Sequence, residues 1–190
     1  MTNFYISRHG QTENNLNRRF SGWIDTPLTE EGVRNAQASA AKLVDVKLDL
    51  IVASDLGRAF TTAYIIARKL GYTEDIQRLK ALREVNYGDY ANQPYEAYPE
   101  MSAVENADFV SPNGESLNQM QARVIDCLVE LDARNHGESI LLVAHDGTIN
   151  AIRAAFNQDS IGIADLTHNA HDFVANFRFE AGEVVSFIEL

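Results

Sequence analysis

Three short apolar runs stand out along the chain: Phe4-Tyr5-Ile6, Leu50-Ile51-Val52-Ala53 and Ile140-Leu141-Leu142-Val143. None alternates with polar residues, which is the pattern of strands covered on both faces of a parallel sheet. Between them the period changes to that of helices. Thr29 is placed to cap a helix whose first turn holds Glu30 and Glu31, with Val33, Ala36, Ala40, Leu43 and Val44 expected to face the core. A second helix is predicted from about Leu56 to Leu70, followed by a strand and connection within Ile76–Leu82. Ser116 and Gln119 form the S-x-x-Q signature of a capping box, and Leu117, Met120, Val124, Leu128 and Leu131 supply the apolar stripe of the helix it opens. That helix is expected to end at His136-Gly137, and another to start near Ile149.

Near the C-terminus Phe173, Ala175, Phe177 and Phe179 alternate with Val174, Asn176 and Arg178, and Ala181-Gly182 leads into Val184–Ile188. This reads as an antiparallel hairpin. Two stretches lack either period. Asn14–Asp25 is polar and irregular and resembles a binding loop, while Asp89–Gly114 reads as an irregular or partly helical lid. The expected organisation is one α/β domain over residues 1–190, with a mostly parallel central sheet, a C-terminal antiparallel hairpin and a lid insertion at about 89–114.

A chain of 190 residues with 45% hydrophobic and 23% charged positions can bury a core unaided, which excludes disordered and fibrous classes. The single cysteine, Cys127, allows neither a disulfide framework nor a cysteine metal site. Met1-Thr2-Asn3 passes directly into the first apolar run without a basic or long apolar leader, so a cytoplasmic protein is expected. The net charge of −11 argues against nucleic-acid and anionic-membrane partners, because both require a basic face. An anionic substrate must therefore be attracted locally.

The three apolar runs also end alike. The first runs into Arg8-His9-Gly10, the second leads to Arg58, and the third runs into His145-Asp146. Ligands of open α/β sheets bind beyond the carboxyl ends of the strands. Taken alone, His9 fits either a core histidine at a strand end or a nucleophile. A neutral imidazole can attack phosphorus near neutral pH, and arginine forks bind phosphoryl oxygens. Arg58, in the first turn of its helix, is poorly placed with respect to the helix dipole unless it shares a bound anion with the helix N–H groups. Arginine does not ligate metals and Asp146 is the only adjacent carboxylate, so this set disfavours a metal centre.

The ordered combination resembles the histidine phosphatase superfamily, in its phosphoglycerate mutase-like branch. The resemblance rests on Arg8-His9-Gly10-Gln11-Thr12 with Asn15, Arg19-Phe20-Ser21-Gly22-Trp23 with Asp25, Leu28-Thr29 with Gly32, and Ser54-Asp55-Leu56 with Arg58-Ala59 and Thr62-Ala63. Leu82 and Glu84 with Tyr87-Gly88, Gly114-Glu115-Ser116 and Val143-Ala144-His145 complete it. It implies a three-layer α/β/α sandwich. It also implies a phosphohistidine on His9, a phosphate pocket completed by Arg8, Arg58 and His145, and Glu84 as the proton donor to the leaving alcohol. Asn15, Gln11, Thr12, Ser21 and Gly22 are expected in the phosphate and substrate site. Asp146 is the alternative acid, because a histidine-aspartate pair serves that role in the acid-phosphatase branch. His136, His168 and His171 have no comparable context and are expected on loops or caps.

The expected activity is metal-independent, cofactor-free hydrolysis of a small-molecule phosphomonoester. Glu84–Ala122 contains seven acidic residues and no lysine or arginine. Such a lid disfavours a second anionic group on the substrate, although Arg18, Arg19 or Arg83 could bind one. The alternatives are a phosphoglycerate mutase and a catalytically silent binder of phosphorylated ligands. Phe20 and Trp23 fit either substrate contacts or packing anchors.

Overall fold

The computed structural model describes residues 1–165 and 167–190. In chain order the elements begin with β1 (Thr2–Arg8), α1 (Glu13–Leu16), α2 (Glu30–Lys42), β2 (Leu50–Ser54), α3 (Gly57–Leu70) and β3 (Gln77–Leu79). They continue with α4 (Ala103–Asp108), α5 (Leu117–Arg134), β4 (Ser139–Ala144), α6 (Asp146–Asn157), α7 (Ile161–Ala164), β5 (Val174–Glu180) and β6 (Glu183–Glu189). The six strands form one sheet in the order β3-β2-β4-β1-β5-β6. The first four of these neighbours run parallel, and β5 and β6 add the antiparallel hairpin.

The alternation of strand side chains divides the core into two layers. Phe4, Ile6, Val52, Ile140 and Leu142 point to the face covered by α5 and α6, where Phe4 stacks on Phe177 at 5.1 Å between ring centroids. Ile51, Ala53, Leu141 and Val143 point the other way, onto Ala40 and Leu43 of α2 and onto Ala63 and Ile66 of α3. This α/β/α arrangement accounts for the uninterrupted apolar runs: β2, and β4 beyond Ser139, are buried on both faces.

Helix starts follow the polar signals. The Thr29 side chain accepts from Gly32 N–H, and Ser116 and Gln119 cap each other's backbone N–H groups as a capping box. Several expectations need correction. Val33 is exposed because α2 packs through the small residues Gly32, Ala36, Ser39 and Ala40, and Val44 is exposed because the helix has ended before it. The loop after β1 opens with the short helix α1, whereas the strand and connection expected within 76–82 are found as Gln77–Leu79 and the 3-10 turn Lys80–Leu82. The long helix α5 stops at Arg134, before His136-Gly137. Helix α6 begins at Asp146 rather than near Ile149, because His145 keeps an extended backbone and serves as its N-cap position. Helix α7 had no clear signal in the sequence. Within 89–114 the chain forms single 3-10 turns at Gly88–Tyr90 and Tyr95–Ala97 and the short α4. Among the described residues no helix is long and apolar enough to cross a membrane.

Leu142 is fully buried at the crossing of β1, β4 and β2, paired with both Ile6 and Val52. Leu142→Ala is expected to destabilise the fold by about 2–5 kcal/mol, as truncation leaves a cavity that the sheet cannot collapse to fill. Equilibrium urea unfolding checks this.

Candidate active site

The site is assembled where β1, β2 and β4 end side by side. The parallel register carries Arg8 opposite Ala144, and His9 N–H donates to Ala144 O at 3.0 Å, one step beyond the ladder. Next to it the chain turns sharply past α2. A Cβ on Gly10 would lie 2.1 Å from Gly32 O, so the close approach of these two segments requires glycine. Gly10 N–H donates to the Thr62 hydroxyl of α3 at 3.1 Å, fixing the turn from the other side.

His9 is 4% exposed and its Nδ1 lies 2.8 Å from Gly10 O. A carbonyl only accepts, so this contact places the proton of the neutral ring on Nδ1 and leaves the lone pair on Nε2. The His145 ring stands 5.1 Å away, fully buried, with neither nitrogen hydrogen-bonded among the described residues. Burial drives both imidazoles well below the ordinary histidine value, and the Arg58 charge adds to it. Both are neutral at pH 7.

Arg58 lies in the first turn of α3 and is 2% exposed. Its guanidinium donates to Ile24 O at 2.9 Å and to Gly22 O at 2.7 Å, leaving Nε unpartnered among the described residues. Burial lowers its pKa to about 10, which leaves it charged at neutral pH. Leu56, at the N-cap of α3, offers no side-chain cap. Asp25 supplies one from a distance, accepting from the backbone N–H groups of Gly57 and Arg58. Arg8 donates to Asn169 O and lies 3.8 Å from Asp146, again with Nε unpartnered. Two arginines thus keep buried donors in reserve, a costly arrangement without an anion to receive them.

Glu84 enters from the opposite wall. Its carboxylate accepts from Val85 N–H at 2.9 Å and Gly147 N–H at 3.3 Å, and burial, reinforced by the nearby Asp146 charge, pushes its pKa up. Arg123 of α5 holds the backbone behind it, donating to Ala81 O, Arg83 O and Glu84 O at 2.8 Å each while pairing with Glu115 at 2.6 Å. Trp23 Nε1 donates to Glu84 O at 2.8 Å, so Trp23 is an anchor of this loop.

These walls enclose a crevice of about 680 Å³. Of the residues expected there, Arg8, His9, Asn15, Ser21, Gly22, Arg58, Glu84 and Asp146 line it; His145 is not in the lining but packs edge-on against the His9 ring. Gln11 and Thr12 do not. The Thr12 hydroxyl caps α1 and the Gln11 side chain accepts from Thr29 Oγ1 at 2.9 Å, so both shape the loop instead of facing the crevice. Phe20 does line the crevice, against Tyr87, Tyr95 and Tyr98.

Residues without a sequence signal complete the site. His168 and His171 line the crevice, as do Asp165 and Asn106. Asn169 joins the elements, donating to Asp146 from its backbone at 3.0 Å and from its side chain at 2.7 Å and accepting from Arg153 at 2.6 Å. Among the described residues no group of three His, Cys, Asp or Glu side chains is arranged to hold a metal ion.

Residues 4–185 match the histidine phosphatase superfamily (branch 1). The chain belongs to that superfamily. Within it, 173 residues are 32% identical to the 2,3-bisphosphoglycerate-dependent phosphoglycerate mutase of Cytophaga hutchinsonii, covering 86% of this chain and 80% of the relative. Among solved structures, YhfR of Bacillus stearothermophilus superposes with a TM-score of 0.86 at 28% identity, covering 97% of this chain and 94% of that one. A mycobacterial glucosyl-3-phosphoglycerate phosphatase in complex with VO3 superposes at 0.84 with 27% identity, covering 98% and 96%. The superfamily's mixed sheet, mostly parallel with a C-terminal antiparallel hairpin, is the fold described above.

The buried neutral imidazoles give a pH dependence of definite sign. Below pH 6.5 the unfolded chain takes up protons that His9 and His145 refuse in the folded state, so stability falls as the pH drops through that range. Glu84 works oppositely, its contribution being present below 4.5 and lost as the pH rises to its elevated folded value. Urea unfolding at pH 7 and pH 5.5 is expected to show a loss of up to about 1.4 kcal/mol per pH unit for each imidazole. His145→Gln should flatten that dependence.

Proposed function

We propose that the protein is a phosphatase that hydrolyses a small-molecule phosphomonoester through a phosphohistidine on His9. The observation that carries this reading is the state of His9: a neutral ring, its Nδ1 tied to Gly10 O, with Nε2 available beside two arginines that retain unpartnered Nε groups. Nε2 attacks phosphorus, the bond to the leaving oxygen breaks, and Glu84 gives its proton to the departing alcohol. Water then attacks phosphohistidine, returning a proton to Glu84 and releasing phosphate. Arg8, Arg58 and His145 stabilise the equatorial oxygens in both steps, with Asn15 beside them. The raised pKa of Glu84 suits an acid that must be protonated for the first step. Asp146 is the weaker candidate because its Oδ1 already accepts two hydrogen bonds from Asn169.

The leaving group is uncharged or a hydrogen-bond donor. The arginines that could hold a substrate carboxylate are largely engaged: Arg83 pairs with Asp55 through two 2.7 Å bonds, Arg18 with Glu96 at 3.2 Å, and Arg19 donates to Asn92 O at 2.6 Å. Asp165 and Glu100 line the same crevice as Arg18 and Arg19, and burial pushes the Asp165 carboxyl up to about 6. An acceptor there suits a hydroxyl of a sugar or another alcohol, and segment 89–114 serves as the lid over it. A mutase is the second reading, favoured by the name of the Cytophaga relative and by the presence of Arg18 and Arg19 on the wall.

The test is phosphate release from a panel of phosphomonoesters in the presence of a chelator, with 3-phosphoglycerate isomerisation assayed in parallel with a bisphosphoglycerate primer. His9→Ala is expected to lower release by about three orders of magnitude or more. Glu84→Gln should lower kcat by about 10²–10⁴. Primer-dependent isomerisation without net release would establish the mutase. Ligand binding with neither activity would make the protein a silent phosphate binder.

A further inference from the structure

His171 lies in the stretch that feeds β5, and the antiparallel pairing of β5 with β1 brings it back to the nucleophile. Arg8 N–H donates to Phe173 O at 3.2 Å, so residues 171–173 run alongside Arg8 and His9. The His171 ring lines the crevice, 5.9 Å from the His9 ring and tilted 47° to it. Its Nδ1 lies 3.2 Å from His9 O. That partner only accepts, so the neutral ring carries its proton on Nδ1 and a lone pair on Nε2.

The surroundings of this ring are settled from each side. Arg8 faces it from the end of β1 and His9 from the residue beyond, Asp146 from the first turn of α6, and Asp172 from its own loop. Burial, followed by the Arg8 charge, holds it down to about 4, while Asp146 and Asp172 pull the other way. A phosphoryl dianion seated between Arg8 and His9 changes this balance. Its charge offsets Arg8, and an Nε2 lone pair facing anionic oxygen is repulsive unless it is protonated.

We propose that His171 is a third imidazole of the phosphoryl pocket, taking a proton from solvent on Nε2 as the dianion enters and donating it as a hydrogen bond to one of its oxygens. The proton returns to solvent when phosphate leaves, so no net proton is consumed. Nδ1 keeps its bond to His9 O throughout, which ties the donor to the backbone of the nucleophile. This inference rests on the phosphohistidine reading for the placement of the phosphoryl group, but its test does not require turnover.

Orthovanadate binding is measured by calorimetry at pH 7 in two buffers of different ionisation enthalpy, for wild type, His171→Ala and His171→Asn. The asparagine amide can replace Nδ1 as the donor to His9 O and cannot take up a proton. Wild type is expected to take up close to one proton more than either variant and to bind vanadate about tenfold more tightly. Equal proton uptake in wild type and both variants overturns the proposal, as does wild-type affinity in His171→Asn, which would reduce the ring to a structural tie. Proton-coupled vanadate binding by a wild type that hydrolyses no phosphomonoester would leave His171 in place and remove the phosphatase reading instead.

Discussion

The hydrogen bond from His9 N–H to Ala144 O is the contact on which the site depends. It extends the β1–β4 ladder by one step, past the point where both chains leave the sheet. The two histidines therefore face each other because two parallel strands end in register, with no loop required to fold back. Since β2 pairs with β4 on the other side, Arg58 arrives on the helix that leaves the neighbouring strand. Three positions far apart in sequence are thus set by one parallel register, and a one-residue slip would turn every core side chain of a strand to the wrong face.

Burial then gives these residues their chemistry. Both imidazoles are kept neutral chiefly by loss of solvent, and the same loss raises Glu84. A neutral imidazole and a carboxyl group whose pKa is pushed up therefore share one crevice. Carbonyl groups of the loop at 22–24 and of Asn169 and the carboxylates of Asp25 and Asp146 surround the two arginines, yet among the described residues each keeps an unpartnered Nε.

Much of this was legible in the sequence because parallel strands buried on both faces leave uninterrupted apolar runs, and the residue just past each run is a candidate by position alone. The Thr29 cap and the Ser116–Gln119 box were legible because capping is local. Val33 and Val44 misled because apolar identity was read as burial, whereas α2 packs through small residues and ends before Val44. Asn169 and His171 carried no signal because their partners are distant: His171 meets His9 across 162 positions, through an antiparallel pairing that no local pattern announces. Arg123 was equally silent, since nothing in a helical stripe indicates that one polar residue will reach three carbonyl groups on the segment carrying Glu84.

Trp23 is the only tryptophan in the chain and is 40% exposed. Its indole N–H is bonded to Glu84 O, and the Arg83 guanidinium lies over its ring, 4.7 Å from the centroid. The loop that presents Phe20 to the crevice and the segment that carries Glu84 thus meet at one chromophore. The protein contains its own optical reporter: the emission of a single indole, free of any background from a second, reads the polarity and charge at the back of the acid-bearing wall.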